Sequence, residues 1–517
     1  MKTFNIAGKC IPSLHYMADI SQQVGQAVTM LRSGLYFCIN RGRQYGKTTT
    51  LAQIELAVQN EISVFSISFE SYGDSEFSSI ERACSVLIRA MYNTTIWSDQ
   101  SNLSEECLSL LKEASKEKTI DVEDFKVLIG MLCQKNSRPI VLIIDEVDKA
   151  GNYSAFVHLL SILRDLYLQR DRRPTFLSVI LASVYDVKNL KLKLRPEEMH
   201  QYNSPWNIAM PYDADMSLSE AGVAGMLREY ASDHGLSIDV ERMSKEIIDY
   251  SSGYPFLVSR LCMLMDETGD WSHEGLLSAV RSILTEQNTL FDDMRKKLAD
   301  YPKLRKMLYQ ILFAGEDIPF NQDLQDIDIA RMFSFIRNDN GKLRIINRLF
   351  ETRLYNLFIS EEKDIEQTYD RASAEKPTFF KGGHLDMCKV LERFCALYAN
   401  LYTSRDESFD ENEGRKKFLF FIKPIINGTG NYYTESTTRN QRRTDLIIDY
   451  LGEQSIVEMK IWHGQKYNAE GEQQLLDYLD AHNLSVGYML TFNFNKKKES
   501  GITEKTFGNK ILIEAVV

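Results

Sequence analysis

Several things are scarce or missing in this 517-residue chain, and each absence removes a class of protein. No run of apolar residues reaches the roughly 18 that a membrane-spanning helix requires. The first residues, MKTFNIAGKCIPSLHY, have neither a long apolar core nor a small-residue cleavage site, so secretion is not expected. Cysteine is sparse: eight residues, at 10, 38, 84, 107, 133, 262, 388 and 395, with no CxxC pair. That spacing supports neither a zinc module nor a disulfide framework, and a reduced, cytoplasmic protein is the expectation. Internal repeats and low-complexity tracts are absent, which excludes a solenoid. Positive charge is in deficit: the net charge is −11, so a broad basic surface is excluded and any contact with nucleic acid must be local.

The chain is too long for one hydrophobic core, and two to four domains are expected. From Leu385 to Val517 there are 17 Lys and Arg against 19 Asp and Glu, a net of −2, making this the relatively more basic part. Its clusters, Arg415-Lys416-Lys417, Arg439 with Arg442-Arg443, and Lys496-Lys497-Lys498, either form a solvated face or hold phosphates.

Between about 20 and 210, apolar strands alternate with helices. Leu35–Asn40, Ile62–Glu70, Ile140–Ile144 and Phe176–Ser183 read as strands, with helical segments between them. Near-continuous apolar strands with weak two-residue periodicity indicate a parallel sheet covered on both faces. The expected fold class is therefore α/β, with a P-loop-type core over 1–212. A helical lid is expected over 213–300. The Asn-Gly hairpin signal at Asn340-Gly341 marks a winged-helix-like unit over 301–370. A linker over 371–384 then leads to a small α/β domain over 385–517.

Two half-motifs in that order describe a nucleotide site. The strand LYFCIN runs into RGRQYGKTTTL, residues 41–51, and a helix follows. A phosphate-binding loop needs backbone N–H groups at a helix N-terminus, a Lys for the β- and γ-phosphates, and a hydroxyl for Mg²⁺. Gly46, Lys47 and Thr48 supply these, and Arg41, Gly42 and Thr49 complete the candidate nucleotide-binding run. The first glycine of the usual pattern is replaced by Arg41, and Gly42 comes one place late. The second half-motif is Asp145-Glu146 at the end of IVLII, where Asp145 would orient Mg²⁺ and Glu146 would polarise the attacking water. Taken alone, an acidic pair after a strand can also be a plain helix cap. Ser183, ending the next strand, is either a sensor of the γ-phosphate or an ordinary strand-end hydroxyl.

Near the other end, Asp445 precedes LIIDY, Gly452 marks a turn, and IVEMK returns. Pairing positions whose numbers sum to about 903 sets Asp445 opposite Glu458, and Glu458 and Lys460 share a face. Two carboxylates and an ammonium at one sheet end can hold Mg²⁺ or Mn²⁺ and position a water against a phosphodiester. A charged pair inside so apolar a strand is costly unless it is paired or used.

The NRGRQYGKTTTL loop, the LIIDEVD strand, SPWNIAMPY and the helical segments after it resemble the AAA-ATPase-like family of P-loop ATPases, close to its STAND and archaeal-type branch. Tyr16 and Asp19 resemble that family's N-terminal segment, and Gly253-Tyr254-Pro255 its lid. The resemblance spans roughly 5–365 and implies ATP and Mg²⁺ as cofactors. Residues 385–517 resemble the PD-(D/E)XK nuclease superfamily, with Thr444 in place of the nominal proline. That resemblance implies a glutamate from the first helix, best matched by Glu413, and a glutamine-bearing helix, best matched by Gln473 or Gln474.

Together these imply an ATPase that gates or drives a metal-dependent nuclease acting on nucleic acid, DNA before RNA. No membrane partner is expected. A homo-oligomer is expected because such ATPases often complete their sites across subunits, and a role in mobile-element or phage defence rests on family analogy. The alternative is a nucleotide-dependent switch whose C-terminal domain binds without cutting.

Overall fold

The computed structural model describes residues 1–97, 103–184, 206–314, 318–321, 324–339, 341–361, 375–401, 409, 411–426, 430–433, 446–451, 453–495, 498 and 500–517. The chain divides into two compact units. The first comprises Met1–Ile248, Gly253–Met263 and Asp328–Ser334, and the second comprises Asp249–Ser252, Leu264–Ile327 and Phe335–Val517.

In the first unit, α1 (Ser21–Arg32) leads to β1 (Phe37–Asn40), and α2 (Lys47–Val58) follows the loop after it. Next come β2 (Ser63–Ser68), α3 (Ile80–Trp97), α4 (Glu105–Ala114), α5 (Val122–Lys135) and β3 (Ile140–Asp145). The core ends with α6 (Ser154–Leu168), β4 (Ser178–Ser183) and the short β5 (Met210–Pro211). The five strands form one parallel sheet in the order β2-β3-β4-β1-β5. Every residue of β3 and β4 is buried, which is why these strands show no two-residue alternation in the sequence. Because β3, β4 and β1 are neighbours, their C-terminal ends bring Asp145, Ser183 and Asn40 to one sheet edge.

Helices α7 (Glu220–His234), α8 (Val240–Ser251) and α9 (Pro255–Thr268) follow the sheet. The N-terminal segment is tied to α7: the Tyr16 hydroxyl donates to Asp233 Oδ2 at 3.1 Å, and its ring packs on Phe4 and Tyr230. Asp19 accepts from the Ser21 N–H at 2.8 Å, and these Ser21 hydrogen bonds hold its carboxyl below the usual carboxylate range.

The second unit contains α10 (His273–Thr285), α11 (Thr289–Asp300) and α12 (Pro302–Tyr309). The chain then forms α13 (Gln325–Met332), which from Asp328 onward belongs to the first unit, and, back in the second, the hairpin β6 (Ile336–Asp339) and β7 (Lys342–Ile345) and helix α14 (Arg348–Glu361). The hairpin pairs Asp339 with Lys342, with Gly341 at φ 84°, as the Asn-Gly signal predicts. The latter half of the expected linker is ordered. Residues Lys376–Phe379 form a 3₁₀ turn, and β8 (Phe380–Lys381) pairs with β9 (His384–Leu385) across Gly382-Gly383. Fully buried Phe379 meets Phe421 edge-on, which holds this stretch down; residues 371–374 lie outside the described residues.

The C-terminal part runs α15 (Met387–Leu401), α16 (Glu411–Ile426), β10 (Gly430–Tyr433), β11 (Leu446–Tyr450), β12 (Glu453–Ile461), α17 (Gln465–His482), β13 (Val486–Phe492), β14 (Gly501–Phe507) and β15 (Lys510–Val516). Its sheet has the order β10-β11-β12-β13-β15-β14. The β10–β11–β12 and β14–β15 pairings are antiparallel, whereas β12–β13–β15 are parallel. Compactness groups the β6–β7 hairpin with this sheet rather than with the parallel core. Tyr432 explains part of that grouping: its hydroxyl donates to Asn356 Oδ1 at 3.3 Å and its ring meets Tyr355.

At the same junction, Lys423 on α16 donates to the Asn356 carbonyl at 3.3 Å, and burial pushes its amine down to about 8. The unfolded chain keeps this proton up to about 10.5, so between 8 and 10.5 it binds more protons than the folded chain and stability rises with pH. Below about 8 the folded state carries the whole penalty. Lys423→Met is therefore expected to raise stability at pH 7 by about 1–3 kcal/mol after allowance for partial exposure, with the gain shrinking by pH 9.5. Urea unfolding at both pH values checks this, and an equal or absent gain at the two would refute it. Among the described residues, no helix is long and apolar enough to cross a membrane.

Candidate functional site

The first site lies where β1 ends and α2 begins. Gly46 caps α2 at φ 81°, a left-handed conformation that a side chain disfavours, and the amides of the first turn point out of the helix end. Lys47 is 6% exposed, and its Nζ donates to the carbonyls of Arg41 and Gly42, each at 2.9 Å. Burial lowers its amine, opposed by Glu146, Asp145 and Asp148. Thr48 Oγ1 donates to Asp145 Oδ2 at 2.7 Å, which sets a hydroxyl and a carboxylate together, oxygen donors of the kind a divalent cation could take. Asp145 Oδ1 accepts from the Glu146 N–H at 2.9 Å. Glu146 sits at φ 55°, a strained conformation for a non-glycine residue and one that clusters at functional positions. Burial and neighbouring Asp148 hold its carboxyl above the usual range.

The remaining residues of the run divide by role. Ser183 Oγ donates to Asn40 Oδ1 at 2.9 Å at the sheet edge, so Asn40 joins the polar set although the sequence does not single it out. Arg41 turns its guanidinium toward main-chain carbonyls, donating to Asn40 O at 2.9 Å and Ala214 O at 2.7 Å. Its carbonyl, rather than its side chain, faces the phosphate loop. Thr49 Oγ1 accepts from the Cys10 N–H at 3.0 Å, tying the N-terminal segment to α2. Tyr254 donates its hydroxyl to the Arg43 carbonyl at 2.6 Å, and its ring meets Tyr45 edge-on.

The late glycine has its own reason. Gly42 N–H donates to Ser334 Oγ at 3.3 Å, and a Cβ on residue 42 would lie 2.9 Å from the Phe333 carbonyl oxygen and 3.0 Å from Ser334 Oγ. Ser334 is 4% exposed and at φ 58°. No local signal marks it, because its partner is 292 residues away. Gly42→Ala must displace backbone, and is expected to destabilise the chain by about 1–3 kcal/mol and weaken nucleotide binding. A urea midpoint and fluorescent-nucleotide titration identical to the parent's would contradict this.

The second site lies on β12. The hairpin register pairs Leu446 with Val457 and Ile447 with Ile456, sums of 903 as the sequence predicts. Asp445 itself, with Arg439, Arg442, Arg443 and Thr444, lies outside the described residues. Glu458 is 2% exposed, and Lys460 Nζ stands 3.2 Å from its Oε1. Lys460 aligns with Thr491 on β13. Among the described residues, no group of three or more His, Cys, Asp or Glu gathers as a metal site. The Glu458 carboxylate is an oxygen ligand of the kind a hard divalent cation takes, whereas the Lys460 ammonium beside it has no lone pair to offer a metal.

The two helices beside β12 carry the remaining candidates. On α16, Glu411 Oε1 accepts from the Ile461 N–H at 3.4 Å, and Glu413, two residues on, is half-buried. On α17, Gln473 is exposed and donates to Asp477 Oδ1 at 2.9 Å. Gly471 is the residue that faces Lys460, and Gln473 lies about 160° around the helix from it, whereas half-buried Gln474 lies about 60° away.

Comparisons with known proteins match two families, one to each part of the chain. Residues 11–352 match the model of the AAA-like domain, and residues 430–504 match that of the PD-(D/E)XK nuclease superfamily. No curated protein matches the chain. Among solved structures, the Walker-type ATPase PABY2304 of Pyrococcus abyssi is similar at 14% identity and a TM-score of 0.47, over 68% of this chain and 99% of that one. The Aeropyrum pernix ORC2 protein matches at 12% and 0.36, over 66% and 94%. The Aeropyrum pernix ORC1 protein, solved in complex with DNA, matches at 12% and 0.29, over 66% and 93%.

Proposed function

Because the chain belongs to the AAA-like domain family and ends in a domain of the PD-(D/E)XK nuclease superfamily, we propose that it is an ATPase that governs a metal-dependent nuclease acting on nucleic acid. The observation that carries the reading is the buried Glu458 carboxylate held 3.2 Å from Lys460 within the run IVEMKI, whose other residues are apolar. Such a pair contributes little to stability compared with apolar residues of the same size, and it is the group the cleavage chemistry requires.

In this reading, Lys47 and the α2 N-terminus take the nucleotide phosphates. Thr48 and Asp145 hold its Mg²⁺, and Glu146 orients the attacking water. At the second site, Glu458 with Asp445 would hold Mg²⁺ or Mn²⁺, which when bound supplies Lewis-acid polarisation of the phosphodiester and a water of lowered pKa. Lys460 positions that water or balances the charge that develops on the phosphate. DNA is the preferred substrate class, with RNA the alternative.

The test is cleavage of single- and double-stranded DNA and RNA by the full chain, with Mg²⁺ or Mn²⁺, with and without ATP. Cutting that changes with ATP supports the reading. ATP hydrolysis with no cutting under any condition overturns the nuclease half and favours a nucleotide-dependent switch that binds without cleaving.

A further inference from the structure

The face of the C-terminal sheet that carries Glu458 and Lys460 holds another buried carboxylate. Glu514 lies on β15 in the apolar run KILIEAV and is 5% exposed. Across the parallel strands, Glu458 aligns with Met489 and Met489 with Glu514, while Lys460 aligns with Thr491. Aligned neighbours share a face, so Glu458, Lys460, Thr491 and Glu514 lie on one side of the sheet. Glu514 Oε1 accepts from Thr491 Oγ1 at 2.8 Å and from Asn468 Nδ2 at 3.1 Å. Its Oε2 stands 3.0 Å from Lys505 Nζ, which also reaches Glu472. Burial opposes the charge on Lys505, but the two carboxylates outweigh it and hold the amine above its usual range.

Asn468 and Glu472 both belong to α17, so one carboxylate on β15 ties the helix to β13, β14 and β15. Asn468, Gly471, Glu472 and Leu475 have the i, i+3, i+4, i+7 spacing of one helix face. Gly471 stands between the two anchoring residues. A Cβ there would meet Lys460 Cγ at 3.2 Å and Cε at 3.3 Å, so α17 packs directly on the lysine stem. Toward the C-terminal end of α17, Leu475 packs on Gly487, and Lys510 of β15 donates to the Leu476 carbonyl at 3.0 Å and pairs with Asp480. The Glu514 network thus meets α17 in the same stretch, Asn468 to Glu472, that touches Lys460. Apolar residues of similar volume usually stabilise such a position as well or better, so stability alone is a poor reason for charges here.

We propose that Glu514, acting through Thr491, Asn468 and the Lys505–Glu472 pair, is a positioning residue of the nuclease site that seats α17 so that Gly471 packs against Lys460. This rests on the nuclease reading above. The oxygens of Glu514 are engaged by Thr491, Asn468 and Lys505, so its role is to position rather than to bind the metal.

The test uses the full chain with Mn²⁺ and a DNA substrate, comparing Glu514→Gln, Gly471→Ala, Thr491→Val and Thr491→Ser for kcat, KM and thermal melting. Each of the first three is expected to lower kcat by about tenfold or more with KM for DNA within about twofold, because small misplacements of reacting groups act on turnover. Thr491→Ser keeps the hydroxyl and is expected to recover most of the loss that Thr491→Val shows. Gly471→Ala leaves the Glu514 network whole, and Thr491→Val is isosteric, so these two decide the matter if Glu514→Gln melts early. Variants that melt normally and cut like wild type would overturn the positioning role alone. A Thr491→Ser loss equal to that of Thr491→Val would overturn it too. A wild-type chain that cuts nothing removes the nuclease reading, and this inference with it.

Discussion

Lys47→Ala is expected to reduce ATP turnover by the full chain by about 100-fold or more, the usual effect of deleting a main electrostatic donor to a transferring phosphoryl group. The lysine emerges from the first residue of α2, is 6% exposed, and is held by two loop carbonyls at 2.9 Å. Those carbonyls belong to Arg41 and Gly42, so the ammonium lies inside the loop rather than on the surface. Losing it also leaves two inward carbonyls short of a donor, at about 1–3 kcal/mol of stability, and melting must be recorded beside phosphate release. Hydrolysis within about threefold of wild type by a folded variant would place ATP chemistry away from this loop. If nucleotide governs the nuclease, the same variant also loses the ATP dependence of cutting while retaining whatever metal-dependent cleavage is independent of nucleotide.

Glu458→Gln is expected to lower cleavage by about 1,000-fold or more, roughly 4 kcal/mol of transition-state stabilisation, and to leave ATP hydrolysis intact. The amide keeps the shape of the side chain and removes only its charge. Lys460→Met is the less informative change. It strands a carboxylate that is 2% exposed, and losing one partner of a buried pair costs about 3–5 kcal/mol. Calorimetric titration with Mn²⁺ gives an independent readout: binding seen in wild type is expected to vanish in Glu458→Gln. Undiminished cutting and undiminished Mn²⁺ binding together would remove Glu458 from the site.

Much of the fold and of both sites is legible in the sequence because it is written in local physics. A strand, a glycine-bearing loop and a helix occur consecutively around Lys47, and the Thr48–Asp145 bond follows once β3 ends beside that loop. The hairpin register at Val457 follows from alternation and turn length, and a charged pair in IVEMK stands out against its apolar company. The same signal, a carboxylate inside an apolar strand, marks Glu514 in KILIEAV and could have singled it out. Glutamine choice on α17 was less legible. Adjacent Gln473 and Gln474 look alike in sequence, and only the packing of Gly471 on Lys460 says which side of the helix faces the sheet.

By itself, then, the sequence determined the alternation of elements, the phosphate loop, the acidic strand ends and the Glu458–Lys460 pair, because each depends on residues within about one turn or one hairpin of each other. Tertiary structure alone decided that Asn40 meets Ser183, that Gly42 must lack a Cβ because Phe333 and Ser334 lie against it, and that Glu411 reaches β12. It alone also brought Asn468, Thr491, Lys505 and Glu514 together. These contacts join residues from different elements, up to 292 positions apart, and are set by strand order and helix packing, which no local pattern of residues encodes.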